Sequence, residues 1–384
     1  MNDNCPANHL LPQAMKVVIA GGGTGGHLYP GIALAQAFTQ CDPASKILFV
    51  GTATGMEAKL LPEAGFAFAA IPARGWVGKG MMDRLRAIMN VPLGFWKSVQ
   101  ILRRFLPHLV IGIGGYAAGP VILAACCLQH KRLLLEPNAV PGLANRLMAP
   151  YAHKVIIAFD ATRAYLKGRN LVCCGTPVRP EIVAVRREPR PTVASPRESG
   201  PLRLLVLGGS QGAHAINRAM MEAAPLLAEH RVVIVHQTGK KDEAIVREVY
   251  ARHGISARVS AYIQDMAAAY GTSDLVISRA GAGTLSEMTA VGLPAILIPY
   301  PFAQGHQGKN AEALAAAEAA EVILEPDLTG PILARRIIAL LNAPARRAEM
   351  REATARLGHP DSAQEIVRIA YQVVGMVPCV ERVM

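Results

Sequence analysis

The run Lys16-Val-Val-Ile-Ala-Gly-Gly-Gly-Thr-Gly-Gly26 decides the fold. It is an unbroken apolar segment, then a glycine turn, then a helical stretch through Phe38. A strand covered on both faces of a parallel sheet reads as such a continuous run. Glycines at its end let backbone N–H groups and a helix N-terminus approach an anion. The plan recurs at Leu202-Arg-Leu-Leu-Val-Leu-Gly-Gly-Ser-Gln-Gly212, which leads into a helix near Leu227. Gly22-Gly23-Thr24 aligns with Gly208-Gly209-Ser210, a domain-sized spacing far longer than a solenoid period. The expected fold class is therefore α/β, with two Rossmann-like, doubly wound parallel-sheet domains in tandem.

Short apolar runs predict further strands at Ile47–Val50, Leu109–Ile113, Leu133–Leu135 and Lys154–Ala158 in the first half. In the second half they fall at Val232–His236, Leu275–Ser278 and Ala295–Pro299. Residues 186–201 hold four prolines and no apolar periodicity, and read as a linker. The first domain is placed at 15–180 and the second at 181–361, with residues 1–14 a loose extension. Ile366, Val367, Ile369, Ala370 and Val373 have helical spacing, so a last helix over 362–376 is expected to pack back on the first domain.

Composition narrows the function. Of the 384 residues, 51% are hydrophobic and 18% charged, which excludes a disordered chain. No uncharged apolar run reaches the roughly 18 residues that span a bilayer, and the first 14 residues carry no Lys or Arg, so they do not read as a secretory signal. The seven cysteines form no C-x-x-C pair, which argues against zinc or a disulfide framework and fits a reducing compartment. A net charge of +12 favours an anionic partner. Nucleic acid is set aside, because no basic helix or aromatic-rich sheet motif is present and aromatics are only 5%.

Gly21-x-Gly23-x-x-Gly26 formally matches the dinucleotide fingerprint, but the second strand ends Phe49-Val50-Gly51-Thr52 with no acid for a ribose diol. A hydride-transfer enzyme loses its support there. His27 ends the first turn, where an imidazole could act as a base or simply pack. Arg279-Ala-Gly-Ala-Gly-Thr-Leu-Ser-Glu287 follows a strand and opens a helix, as a phosphate site does. Within it Glu287 could hold a ribose diol, but Thr284-x-x-Glu287 is also a capping box, and spacing alone favours the cap. Gln304-Gly-His306-Gln307-Gly-Lys309-Asn310 supplies amide and imidazole groups suited to sugar hydroxyls.

Taken in order, these motifs resemble the MurG family, N-acetylglucosaminyltransferases of glycosyltransferase family 28. The carrying residues are Gly22 to His27, Gly114-Gly-Tyr-Ala-Ala-Gly-Pro120, Gly175-Thr-Pro-Val-Arg179, Gly208 to Ala213, His236-Gln-Thr-Gly239, Arg279 to Glu287 and His306-Gln307. The resemblance runs from about Met15 to Val374 and implies a GT-B fold, two Rossmann-like domains facing across a cleft. It implies inverting transfer of GlcNAc from UDP-GlcNAc to the C4 hydroxyl of MurNAc in undecaprenyl-pyrophosphoryl-MurNAc-pentapeptide (lipid I), forming lipid II for peptidoglycan. It further implies that the first domain takes the acceptor and the second the donor.

Site residues follow from the resemblance. Donor contacts would come from Thr24, Gly25, Gly26, Asn138, Arg179, Ser210, Tyr262, Ile263, Arg279, Thr284, Leu285, Glu287, His306 and Gln307. Thr24, His27, Tyr116, Glu136 and Asn138 would line the acceptor side. His27 is the first choice of general base and Glu136 the second. No Asp-x-Asp is present, Glu325-Pro-Asp327 being the nearest approach, so no metal or cofactor is expected. Helix N-termini and Arg179 would take the charge of the leaving diphosphate. Chain Leu135-Glu-Pro-Asn138 stands where the family often has His-Glu-Gln-Asn, and Thr176 where it often has Asn.

The lipid acceptor implies peripheral attachment to the cytoplasmic face of the inner membrane, with cell-wall synthesis proteins as further partners. Trp76, Val77, Ile88, Met89, Val91, Leu93, Phe95 and Trp96 among Arg74, Lys79, Arg84, Arg86, Lys97, Arg103 and Arg104 form the expected anionic-surface patch. The alternatives are a UDP-sugar epimerase of the same fold and a related transferase with another acceptor.

Overall fold

A computed structural model describes residues 14–22, 25–73, 81–166, 168, 170–187, 200–209, 212–302 and 305–377, with backbone alone for 81–90 and 187. Thr24, Ser210, Arg74, Trp76, Val77 and Lys79 lie outside the described residues, as do 1–13 of the extension and 188–199 of the linker.

The first lobe runs β1 (Lys16–Ala20), α1 (Gly25–Cys41), β2 (Lys46–Thr52), α2 (Glu57–Glu63), β3 (Ala67–Ile71), α3 (Met81–Phe105) and β4 (Leu109–Gly112). It continues through α4 (Ala118–Cys127), β5 (Lys131–Glu136), α5 (Leu143–Met148), β6 (Lys154–Ile157) and β7 (Leu171–Cys173). Next come α6 (Pro180–Arg187), β8 (Leu202–Leu207), α7 (His214–Leu227), β9 (Val232–Gln237), α8 (Glu243–Arg252), β10 (Ser256–Ser260) and α9 (Met266–Thr272). The second lobe goes on with β11 (Leu275–Ser278), α10 (Ala282–Val291), β12 (Ala295–Leu297), α11 (His306–Ala316), β13 (Ala320–Val322), α12 (Gly330–Leu341) and α13 (Pro344–Leu357). The last helix is α14 (Ser362–Val374).

Among the described residues the strands form two parallel sheets, ordered β3-β2-β1-β4-β5-β6-β7 and β10-β9-β8-β11-β12-β13. Both are doubly wound, and strand order reverses between β1 and β4 and between β8 and β11. Those are the topological switch points, where ligands bind outside the carboxyl ends of the strands. The central strands β1 and β8 are almost wholly buried, because helices cover both faces. The strands β3, β7, β10 and β13 have no counterpart in the sequence-predicted set, and all four are sheet edges. Two of them, β10 (Ser-Ala-Arg-Val-Ser) and β13 (Ala-Glu-Val), are broken by charged or polar residues, whereas β3 (Ala-Phe-Ala-Ala-Ile) and the three-residue β7 (Leu-Val-Cys) are apolar runs that sequence reasoning passed over.

The amphipathic α14 crosses back to lie against α1. Ile366, Val367, Ile369 and Ala370 share a buried cluster with Val17, Leu34 and Phe38, and the Phe38 and Tyr371 rings sit 6.4 Å apart. Each fully buried Ile, Val or Phe contributes about 1.5–3 kcal/mol, so the end of the chain holds the first lobe from the far side of the second. Alongside, Gly175 approaches His359 so closely that an added Cβ would fall 2.4 Å from the His359 Cβ. The two crossings between the lobes therefore run together.

Candidate active site

Both switch points open on one cleft. At the first, Gly22 adopts φ +144° and an added Cβ would strike the Glu57 carboxyl carbon at 2.5 Å. The turn is packed against a buried acid and requires glycine. At Gly114 (φ +95°) an added Cβ would lie 2.8 Å from the His27 ring, so this glycine makes the seat of the imidazole. The N-terminal turns of α1 and α10 meet across the cleft, and a Cβ on Gly283 would fall 3.5 Å from the Gly26 Cα. Helix α10 starts from Gly281 with no side-chain cap. Its first-turn N–H groups and positive dipole end therefore point toward a cavity of about 390 Å³.

That start corrects the capping-box reading. With Gly281 as the N-cap, Thr284 is the third helical residue and lines the cavity. Glu287 caps nothing: its Oε1 accepts from Arg179 Nη2 at 2.9 Å and Nε at 3.3 Å, and its Oε2 accepts from Tyr270 Oη at 3.1 Å. Burial pushes the Glu287 carboxyl up, and Arg179 pulls against it. The Arg179 guanidinium also lies over the Tyr29 ring, 4.7 Å from its centroid, and Tyr29 Oη meets Tyr262 Oη at 2.5 Å across the cleft. A chain of contacts thus runs from α1 of the first lobe to α10 of the second.

His27 lines the same cavity. Burial lowers its imidazole below the ordinary value of 6.5, with the Glu57 charge opposing. The ring is therefore neutral near pH 7 and able to accept a proton. Glu57 is fully buried and accepts from the Thr52 N–H and hydroxyl at 2.9 and 2.8 Å. Glu136 is placed differently. Its two oxygens accept from Asn138 N and Nδ2, Gly142 N and Asn145 Nδ2, at 2.9–3.1 Å. It folds the loop that carries Asn138, and burial raises its carboxyl despite those bonds.

The other sequence-predicted residues divide. Gly25, Gly26, Asn138, Arg179, Tyr262, Thr284, Glu287 and Gln307 share the cavity wall with His27. Ile263 is buried, and its N–H donates to Gln237 Oε1. The Leu285 side chain lies in the core of the second lobe. Arg279 turns away to pair with Glu325 and to donate to the Ile298 carbonyl. His306 meets the Val140 carbonyl of the first lobe at 2.8 Å. Tyr116 is exposed, outside the cavity wall. Among the described residues, no group of three or more His, Cys, Asp or Glu is arranged to hold a metal ion.

Sequence reasoning missed Tyr29, Tyr270 and Glu57, whose types carry no signal until the fold brings them to the site. It counted Asn310 among the groups suited to sugar hydroxyls, whereas Asn310 is buried and bridges the lobes. Asn310 Oδ1 accepts from Ala139 N at 2.8 Å, and its Nδ2 donates to Asn138 Oδ1 at 3.1 Å and the Ala280 carbonyl at 3.2 Å.

Known proteins match over nearly the whole chain. Residues 17–157 match the Glycosyltransferase family 28 N-terminal domain and residues 203–366 the Glycosyltransferase family 28 C-terminal domain. A Geotalea uraniireducens protein is 44% identical over 92% of this chain and 97% of its own length. One from Geobacter sulfurreducens is 44% identical with the same coverage. Each bears the name UDP-N-acetylglucosamine--N-acetylmuramyl-(pentapeptide) pyrophosphoryl-undecaprenol N-acetylglucosamine transferase. The crystal structure of Acinetobacter baumannii MurG superposes with a TM-score of 0.76 at 29% identity, covering 93% of this chain and 99% of that one. A Neisseria meningitidis UDP-GlcNAc 2-epimerase shares the fold alone, with a TM-score of 0.67 at 12% identity, over 93% of this chain and all of that one.

Proposed function

The chain belongs to glycosyltransferase family 28, and from that premise we propose that its cleft moves GlcNAc from UDP-GlcNAc to the C4 hydroxyl of MurNAc in lipid I. The product is lipid II, the β-1,4-linked disaccharide precursor of peptidoglycan. The observation that carries this reading is the meeting of two helix N-termini beside Arg179 and Glu287 in one cavity. A diphosphate there gains N–H donors and a guanidinium, and a ribose diol can use the remaining lone pairs of Glu287.

The second lobe takes the donor and the first the acceptor. The acceptor O4 attacks the anomeric carbon from the face opposite UDP. Its proton passes to neutral His27, and the bond from the anomeric carbon to the β-phosphate oxygen breaks with the electron pair leaving on UDP. The charge that builds there falls on the N-termini of α1 and α10 and on Arg179. Tyr262 supports the uracil by stacking, Ile263 offers its carbonyl to it, and Gln307 faces the sugar. Glu136, held by four donors, serves as the loop organiser and not as the base.

The lipid acceptor is met at a membrane surface. Among the described residues, no helix is long and apolar enough to cross a bilayer. On α3, Leu93, Trp96, Lys97, Arg103 and Arg104 are exposed along one face. Leu123 of α4 and Leu143 and Leu147 of α5 are exposed on the neighbouring helices. Apolar and basic groups together suit peripheral binding to the anionic cytoplasmic face of the inner membrane. The remainder of the expected patch, 74–90, has no described side chains.

Radiolabelled UDP-GlcNAc mixed with lipid I or a short-chain analogue, with and without chelator, tests the reading. Label must move into the lipid. Label converted without acceptor points instead to an epimerase, and a protein that binds no uridine nucleotide has another substrate.

A further inference from the structure

The nucleotide-sugar reading needs two separate pieces of the second lobe to stand at a fixed distance. One is the start of the glycine turn after β8, where Gly209 lines the cavity and which the reading sets beside the diphosphate. The other is the loop after β10, which carries Tyr262 and Ile263 and which the reading sets beside the base. They are not neighbours in sequence. A single buried side chain joins them. Gln237, the last residue of β9, lies between β8 and β10 in the sheet and is only 5% exposed. Its Nε2 donates to the Gly209 carbonyl at 2.9 Å, and its Oε1 accepts from the Ile263 N–H at 2.9 Å.

The partners fix the orientation of the amide. A backbone carbonyl can only accept and a backbone N–H can only donate, so the nitrogen must face the turn and the oxygen the base loop. A glutamine amide supplies the one donor and the one acceptor that this span requires while carrying no charge. The residues around it are held as well. His236 is buried between Tyr250 Oη and Asn217 Oδ1, at 2.9 and 3.0 Å. Asn217 Nδ2 donates to the Thr238 carbonyl at 2.9 Å. Gly212 (φ +78°) passes so near that an added Cβ would lie 2.1 Å from the Thr238 carbonyl oxygen. The tip of β9 is thus a fixed post with Gln237 as its tie, and Gln237 and Gly209 both line the cavity.

We propose that Gln237 is a donor-positioning residue, tying the diphosphate turn to the base loop so that the second lobe accepts a nucleoside diphosphate as one rigid ligand. It touches neither reacting atom and acts through Gly209 and Ile263. A ligand that spans both pieces depends on the tie, and one that uses only the base loop depends on it much less.

The experiment measures binding of UDP and of uridine by calorimetry to the full-length wild type and to Gln237→Met and Gln237→Glu, with melting temperatures recorded for each. Gln237→Met loses both bonds, and UDP is expected to weaken about tenfold or more while uridine changes about threefold or less. Turnover at saturating donor should stay within about twofold, so that the loss appears in KM for UDP-GlcNAc and not in kcat. Gln237→Glu keeps the shape. When ionised it has no donor for Gly209, but when protonated it again has one donor and one acceptor. Its UDP affinity, taken relative to wild type at each pH, should therefore recover as pH falls. A purely structural glutamine would lower the melting temperature and weaken both ligands equally, with no such recovery, and that result overturns the proposal. Variants that match a UDP-binding wild type overturn it alone. A wild type that binds neither ligand overturns it together with the nucleotide reading.

Discussion

The two lobes share a strand order and a glycine turn, yet they treat their buried carboxylates in opposite ways. In the first lobe, Glu136 accepts from backbone N–H groups and neutral side-chain amides, and Glu57 accepts from the Thr52 N–H and hydroxyl. In the second, Glu287 faces the cleft and is met by a cation and a phenol, and the cation stacks on Tyr29 from the opposite lobe. The first arrangement shapes loops and leaves a neutral imidazole at the surface of the cavity. The second keeps charge where a charged ligand would sit. The difference fits an uncharged hydroxyl acceptor on one side and a nucleoside diphosphate on the other.

Five variants can break or sharpen that contrast. His27→Ala should cost the most, about 10²–10⁴-fold in kcat, with UDP affinity unchanged. A variant turning over at near-normal rate removes His27 as the base. Arg179→Met should lower kcat by about 10²–10³-fold and also weaken UDP, because the guanidinium serves ground state and transition state alike. Equal kinetics to wild type would place the leaving-group charge elsewhere. Asn310→Ala leaves Ala139 N and Ala280 O without their bridge, at about 1–3 kcal/mol of stability by thermal or denaturant unfolding. No loss would mean that the lobes do not rest on each other in solution.

Trp96→Asp with Arg103→Glu should weaken sedimentation with anionic vesicles by about 1 kcal/mol per basic group removed, leaving turnover on a soluble acceptor analogue intact. Unchanged sedimentation moves the membrane face away from α3. The finest test concerns pH. Since burial holds His27 below its ordinary value, the acid limb of kcat/KM should lie below pH 6.5, with activity lost as pH falls through it. The Glu57 charge favours imidazolium, so Glu57→Gln should move that limb to still lower pH. A limb that stays in place separates Glu57 from the base.

Much of this architecture was legible before any coordinates. The strands β1, β2, β4, β5, β6, β8, β9, β11 and β12 all appear as apolar runs, because a strand between two others and beneath helices has no polar face to interrupt it. Among the edge strands, β10 and β13 are interrupted by charged or polar residues, and β7 and β13 are only three residues long. The glycine turns and the Arg279–Glu287 segment were equally plain, since close backbone approach restricts residue type. Within that segment, however, spacing could not tell cap from ligand, and it could not say that Leu285 enters the core while Arg279 faces Glu325.

The amino-acid order alone determined two tandem doubly wound sheets, their switch-point turns and the residue types gathered there, because periodicity and glycine demand are local properties of a chain. Only the tertiary structure decided which groups meet. Tyr29 with Tyr262, Arg179 with Glu287, Asn310 with the Asn138 loop and Gln237 between two loops are all contacts between residues far apart in sequence. Such contacts depend on how two packed sheets face each other, and no local pattern encodes that.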